Sequence, residues 1–123
     1  MEGDATGAAG RWGEAVRLLD ADLRRRGSAE RTRRAYGTDC GQFAAWCSAA
    51  GVEPAGVTTR ILRRYAAVVS ERGGTPATLA RKLAALRALF GVLREHGVLA
   101  ANPGDLIAAP KRSRTLPRVL SVT

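Results

Sequence analysis

Behind Thr75-Pro76, apolar side chains recur at Leu79, Leu83, Leu86, Phe90 and Leu93. This spacing of i, i+4, i+7, i+11 and i+14 comes onto one face only in an α-helix. Thr75 offers a capping hydroxyl, and Pro76 suits the first helical position, where the N–H it lacks has no intrahelical partner anyway. The pattern runs to Gly97. A helix with one leucine-rich face has to bury it against other elements, and the rest of the chain offers helices for that purpose. Trp12, Val16, Leu19 and Leu23 form a first stripe, closed by Arg24-Arg25-Arg26-Gly27. Cations suit a helix C-terminus and glycine the position beyond it. Ser28 is placed to cap a second helix whose buried face is Tyr36, Cys40, Phe43 and Cys47, with Trp46 beside it, ended by Gly51-Val52-Glu53-Pro54. Thr58 is a natural cap for a third, carrying Ile61, Leu62, Tyr65, Val68 and Val69 and stopped by Gly73-Gly74. With no strand-like alternation and no repeat, the expectation is an all-α four-helix bundle.

Residues 1–10 are small and polar without a period, and read as a disordered lead-in to a helical domain over 11–109. Asn102-Pro103 breaks the helical pattern, Asp105 to Ala109 read as a short turn of helix, and 110–118 as a basic, proline-bounded linker. A chain of 123 residues supports one modest core. Aromatic residues make up 5% of it, so that core is expected to consist of Ala, Leu and Val rather than large rings. No apolar run reaches about 18 residues and the start, Met1-Glu2-Gly3-Asp4, is acidic. A cytoplasmic protein without membrane contact is the expectation. Cys40 and Cys47 stand roughly 10 Å apart along one helix, beyond disulfide reach, and read as core thiols. His96 is the sole histidine. No metal site, cofactor or small-molecule substrate is expected.

Twenty Lys+Arg against 11 Asp+Glu give a net charge of +9, and its distribution is uneven. From Arg24 to Arg34 there are six arginines and one acid, Glu30; from Lys111 to Arg118 there are four bases and no acid. Coding bias explains arginine over lysine but not clustering. Such patterning suits a surface that faces phosphates. Two helix starts add to it, because unpaired backbone N–H groups and the positive dipole end there favour anions. Arg31, Thr32, Arg33 and Arg34 stand at the start of the second helix, and Thr78, Arg81 and Lys82 at the start of the fourth. The two threonines suit phosphate contact and local capping equally well.

The ordered series Thr32-Arg33-Arg34-Ala35-Tyr36-x-x-Asp39-x-x-x-Phe43, Val57-Thr58, Thr78-x-x-x-x-Leu83-x-x-Leu86-Arg87-x-x-Phe90, Asn102-Pro103 and Pro110-Lys111 through Leu116-Pro117-x-x-Leu120 covers about four-fifths of the chain. It resembles the N-terminal core-binding domain of tyrosine recombinases and phage-type integrases, especially the Xer-like branch. The resemblance implies a SAM-like four-helix domain that grips double-stranded DNA, alongside other recombinase protomers, through its second and fourth helices. Carried over by position, DNA contacts fall to Arg31, Thr32, Arg33, Arg34, Thr78, Arg81, Lys82 and Arg87, with Lys111, Arg112 and Arg114 added from the linker. Arg87 suits a structural salt bridge equally well. Gly37 and Gly41 depart from the pattern, each costing the second helix roughly 1 kcal/mol relative to alanine. In place of the usual Ser-Pro stand Ala29 and Glu30.

Tyrosine recombination needs a tyrosine nucleophile amid Arg, His and Lys groups. Tyr36 and Tyr65 lie on apolar stripes, and His96 at a helix end. No catalytic residue is assigned, and the chain is expected to be inactive alone, with 119–123 resembling the start of a catalytic domain that is absent. A free-standing helical adaptor that binds protein through its alanine-rich surfaces, with the arginines only solubilising it, is the alternative reading.

Overall fold

Capping chemistry sets the helix boundaries. The computed structural model describes residues 2–106, and side chains from residue 7 to 105. It contains α1 (Glu2–Arg25), α2 (Glu30–Ala49), α3 (Thr59–Glu71) and α4 (Pro76–Glu95), with 3-10 turns at Pro54–Gly56 and Pro103–Leu106. No strand occurs among the described residues, so the architecture is the expected all-α one. The Thr58 hydroxyl accepts from the Ile61 N–H at 3.2 Å, and that of Thr75 from the Thr78 N–H at 3.1 Å. At the end of α1, Gly27 takes φ +77°, its N–H bonds to the Arg24 carbonyl, and the Ser28 N–H reaches back to that of Leu23. The left-handed backbone needed there costs glycine least. The same pair of bonds closes α2, α3 and α4.

Two boundaries differ from expectation. Helix α1 begins at Glu2, not after residue 10, and Ala8 is 2% exposed. Its apolar stripe continues backwards from Trp12 in alanine, which makes no visible period among other small residues. The second difference is the start of α2, where the cap is Ala29, with no side-chain hydrogen bond. Ser28 lies one position before the cap, and its N–H closes α1. Of the expected short turn of helix at 105–109, residues 105 and 106 are described and end a 3-10 turn over Pro103–Leu106. Residues 107–109, the linker 110–118 with Lys111, Arg112 and Arg114, and 119–123 lie outside the described residues.

Rings dominate the centre of the core, against the expectation from composition. Phe43 of α2, fully buried, meets Trp12 of α1 at 5.5 Å between centroids, Tyr65 of α3 at 4.9 Å and Phe90 of α4 at 5.9 Å, each edge-to-face. Trp46 packs on both Phe43 and Tyr65. Few rings suffice when five of the six converge on one point. Leu19, Leu62, Leu86, Leu89 and Leu93 surround them, each 2% exposed or less. The Trp12 indole N–H donates to the Val52 carbonyl at 2.8 Å, which satisfies its polar atom inside the core.

The pairings Asp39 to Arg81, Cys40 to Ala85 and Phe43 to Phe90 advance together, so α2 and α4 run in the same direction and present their N-terminal halves side by side. Ala85, fully buried, lets the Cys40 thiol approach its carbonyl at 3.5 Å. Burial, assisted by the Asp39 charge, pushes the Cys40 thiol up to about 12, and burial alone does the same at Cys47. Both are core thiols, as read from their spacing.

Truncating Leu86 to alanine is expected to lower the unfolding free energy in urea by about 2–5 kcal/mol, because the side chain is enclosed. A Cβ at Gly37 or Gly41 meets nothing within 4 Å. The double variant Gly37→Ala/Gly41→Ala is therefore expected to raise stability by roughly 0.5–1 kcal/mol per site in the same titration.

Candidate nucleic-acid interface

Asp39 is the one acid on the buried side of α2, 2% exposed, and two cations from α4 converge on it. Arg81 donates through Nε to Oδ2 at 3.0 Å and through Nη2 to Oδ1 at 3.1 Å, and Lys82 Nζ donates to Oδ1 at 3.0 Å. Burial by itself raises the pKa of the Asp39 carboxyl. The hydrogen bonds and positive charges of Arg81 and Lys82 outweigh it, so the pKa lies below the ordinary 3.8. Arg81 is in turn held more firmly protonated by the carboxylate. One acid against two cations leaves the cluster with a net positive charge.

The two cations differ in posture. The side chain of Arg81 is 57% exposed, whereas that of Lys82 is 12% exposed and also donates to the Gln42 side chain. Lys82 therefore links α4 to α2 from within, while the guanidinium of Arg81 stands at the rim with its orientation set by a two-pronged contact. Beside it, Arg31, Arg34, Ala35 and Thr38 complete a shallow depression of about 370 Å³. These α2 residues recur at i, i+3, i+4 and i+7, one helical stripe. A second depression, about 590 Å³, lies on the other side of Lys82, where Gln42, Trp46, Arg72 and Thr78 contribute.

Among the residues singled out in the sequence, the structure brings Arg31, Arg34 and Arg81 together around one depression and sets Thr78 and Lys82 around its neighbour. Thr32 is exposed. Thr78 is part of the α4 cap, its hydroxyl accepting from that of Thr75 at 3.1 Å. Arg33 turns towards α1, where it donates to Asp20 at 3.3 Å. Arg87 lies apart, with its Nε donating to the Gly104 carbonyl at 3.1 Å. That contact, with Asn102 bonded to the Arg87 carbonyl and the Gly104 N–H, fastens the Pro103–Leu106 turn to the middle of α4.

The basic run from Arg24 to Arg34 carries less free charge than its count suggests. Arg24 pairs with Asp20, Arg25 and Arg26 with Asp22, Arg33 with Asp20 and Arg34 with Glu30. Two of those acids sit just upstream of the run, at the i−3 and i−4 positions where a helix brings partners together. Of the six arginines, only Arg31 has no ion pair among the described residues.

The family model for the phage integrase N-terminal SAM-like domain matches residues 16–97, a stretch that spans all of α2, α3 and α4 and the C-terminal part of α1. The chain belongs to that family. Among its relatives, the tyrosine recombinase XerD of Bradyrhizobium diazoefficiens is 33% identical over 105 residues, 85% of this chain and 33% of the relative. XerC of Xanthomonas campestris pv. campestris is 37% identical over 90 residues, 72% of this chain and 28% of the relative. XerC of Thermodesulfovibrio yellowstonii is 33% identical over 97 residues, 79% of this chain and 31% of the relative. The chain thus spans about a third of the length of the curated relatives it matches. No solved structure matches. Among the described residues, no helix is long and apolar enough to cross a membrane.

Replacing Asp39 with asparagine keeps the shape and removes the charge. At pH 7 the variant is expected to lose about 1–3 kcal/mol in urea unfolding, less than the full cost of breaking a buried pair because Arg81 is already half in water. A carboxyl with a lowered folded pKa stabilises above its unfolded value and loses that contribution as pH falls through the folded one. The gap between wild type and Asp39→Asn is accordingly expected to close below about pH 4, as the wild-type carboxyl takes up its proton.

Proposed function

We propose that residues 1–123 hold duplex DNA as the DNA-binding part of a site-specific tyrosine recombinase, acting with other protomers of the recombinase and contributing no catalytic group of their own. The contact face is the one formed by the N-terminal halves of α2 and α4. The observation that carries this reading is the Asp39 clamp. It takes up Nε and Nη2 of Arg81 and leaves the remainder of an oriented guanidinium at the rim of a depression shared with Arg31 and Arg34. A guanidinium already fixed in direction loses less side-chain freedom on meeting an acceptor than a free one, which favours selective contact over diffuse attraction. The run of unpaired N–H groups at the start of α2, where no side chain caps the helix, adds an anion-favouring end beside it.

Within this reading the roles divide. Arg31, Thr32, Arg34 and Thr78 bear on phosphates and Arg81 on base edges, while Lys82 and Arg33 act indirectly, holding α4 and α1 against α2. Arg87 serves the Pro103–Leu106 turn, and the basic residues Lys111, Arg112 and Arg114 add backbone contacts.

Fluorescence anisotropy with labelled duplexes over a salt series tests the assignment. Binding is expected with log K falling steeply against log salt, and Arg31→Ala is expected to make that slope shallower by about 0.9, one phosphate contact. Arg81→Ala is expected to cut discrimination between a cognate half-site and random duplex by about 1–3 kcal/mol, whereas Thr78→Ala weakens both alike. Thermal melts of each variant separate loss of contact from loss of fold. Supercoiled plasmid is expected to remain uncut. Salt-insensitive association, or unchanged DNA affinity in a folded Arg31→Ala/Arg81→Ala double variant, overturns the proposal.

A further inference from the structure

Arg60, Arg63 and Arg64 of α3 are exposed and have no ion pair among the described residues. On α1 and α2 most arginines are paired at helical spacing, with Glu14 for Arg17, Asp20 for Arg24, Asp22 for Arg25 and Arg26, and Glu30 for Arg34. On α3 that habit stops. Its first turn holds no acid, and its single acidic residue, Glu71, lies at the far end. Three guanidiniums at i, i+3 and i+4 repel one another, and cations in the first turns of a helix oppose its dipole. The arrangement works against folding.

At about 100° per residue the three arginines occupy one arc of α3, diametrically opposite the arc of Leu62, Tyr65 and Val69 that faces the core. Of the α3 residues that line the depression shared with Thr78 and Lys82, Tyr65, Val69 and Arg72 belong to the core-facing side and Val68 lies on the flank between the two arcs. The arginine face therefore points away from the α2–α4 face, and a duplex seated on the latter does not also lie along the former.

We infer that the Arg60–Arg63–Arg64 face of α3 is a second contact for nucleic acid, one that takes the phosphate backbone of a separate duplex segment. The forked guanidinium matches phosphate geometry. A protein partner of comparable charge fits less well, since a stable protein interface needs an apolar anchor at its centre. Val98 is the one large hydrophobic side chain exposed among the described residues, and it lies outside α3. A backbone contact requires no such anchor and reads no sequence.

The experiment pairs two measurements on the whole chain. Donor- and acceptor-labelled duplexes are mixed with protein at less than one copy per duplex, and energy transfer between them reports bridging, while anisotropy over a salt series reports the slope. The triple variant Arg60→Ala/Arg63→Ala/Arg64→Ala alters only exposed positions of a helix that alanine favours, and circular dichroism checks its fold. It is expected to abolish energy transfer and to make the salt slope shallower by about 2–3, three phosphates at roughly 0.9 each. The Arg31→Ala/Arg34→Ala variant, with α3 intact, is expected to keep the α3 share of the slope. If that variant binds and bridges like wild type while the α3 variant does not, the α2–α4 assignment fails and the α3 contact stands. Equal energy transfer in wild type and triple variant, including none in either, overturns the inference. So does loss of binding to polyglutamate with DNA binding intact, which would assign the face to an acidic protein.

Discussion

Phe43 touches a ring from each of the other three helices, so the relative placement of α1, α3 and α4 depends on this one side chain. Edge-to-face contact has a preferred geometry, which gives the centre of a small core more directional constraint than aliphatic packing alone supplies. The consequence reaches the surface one turn away. With Phe43 against Phe90 and Cys40 against the Ala85 carbonyl, α2 and α4 are held close in a single register, and Asp39 comes opposite Arg81 and Lys82. A shift of one residue in either helix would rotate the acid away from both cations.

Asp39 then does two things with one carboxylate. It joins α4 to α2, and it converts two neighbouring cations of the same helix into groups of different character, one turned inward and one held at the rim. A buried carboxylate is costly unless fully satisfied, and here three donors satisfy it. Its proximity also raises the pKa of the Tyr65 hydroxyl, although burial is the larger cause. Tyr65, 5% exposed and part of the ring cluster, is a structural residue.

Charge in this fold is organised by compensation. Pairing along α1 and α2, and from Arg33 across to Asp20, neutralises most of a run that looks strongly basic in one dimension. Arg31 at the start of α2 and the outer face of α3 are left without acidic partners, as are Arg72 and Arg94 at the ends of α3 and α4. A count along the chain weights all arginines alike, whereas the field outside the protein is set by those whose acids are out of reach.

Helical class, the caps at Thr58 and Thr75, the glycine stops and the stripes of α2 and α4 were legible in the sequence, because each depends on neighbours within a turn or two. The ordered motif series likewise carried the family. The start of α1 was not legible, since its apolar stripe continues in alanine, and neither was the convergence of rings, since composition says how many there are and not where they meet. For the candidate site, Arg31, Arg34 and Arg81 could be nominated from position, but their environments could not. Asp39 stood in the motif with no role, and the difference between Arg81 and Lys82 had no trace in sequence. That difference arises from contacts across more than 40 residues. Local spacing determined which residues form helices and which face they share; only the packing of α2 against α4 decided which charges are held, which are hidden and which are left to meet a partner.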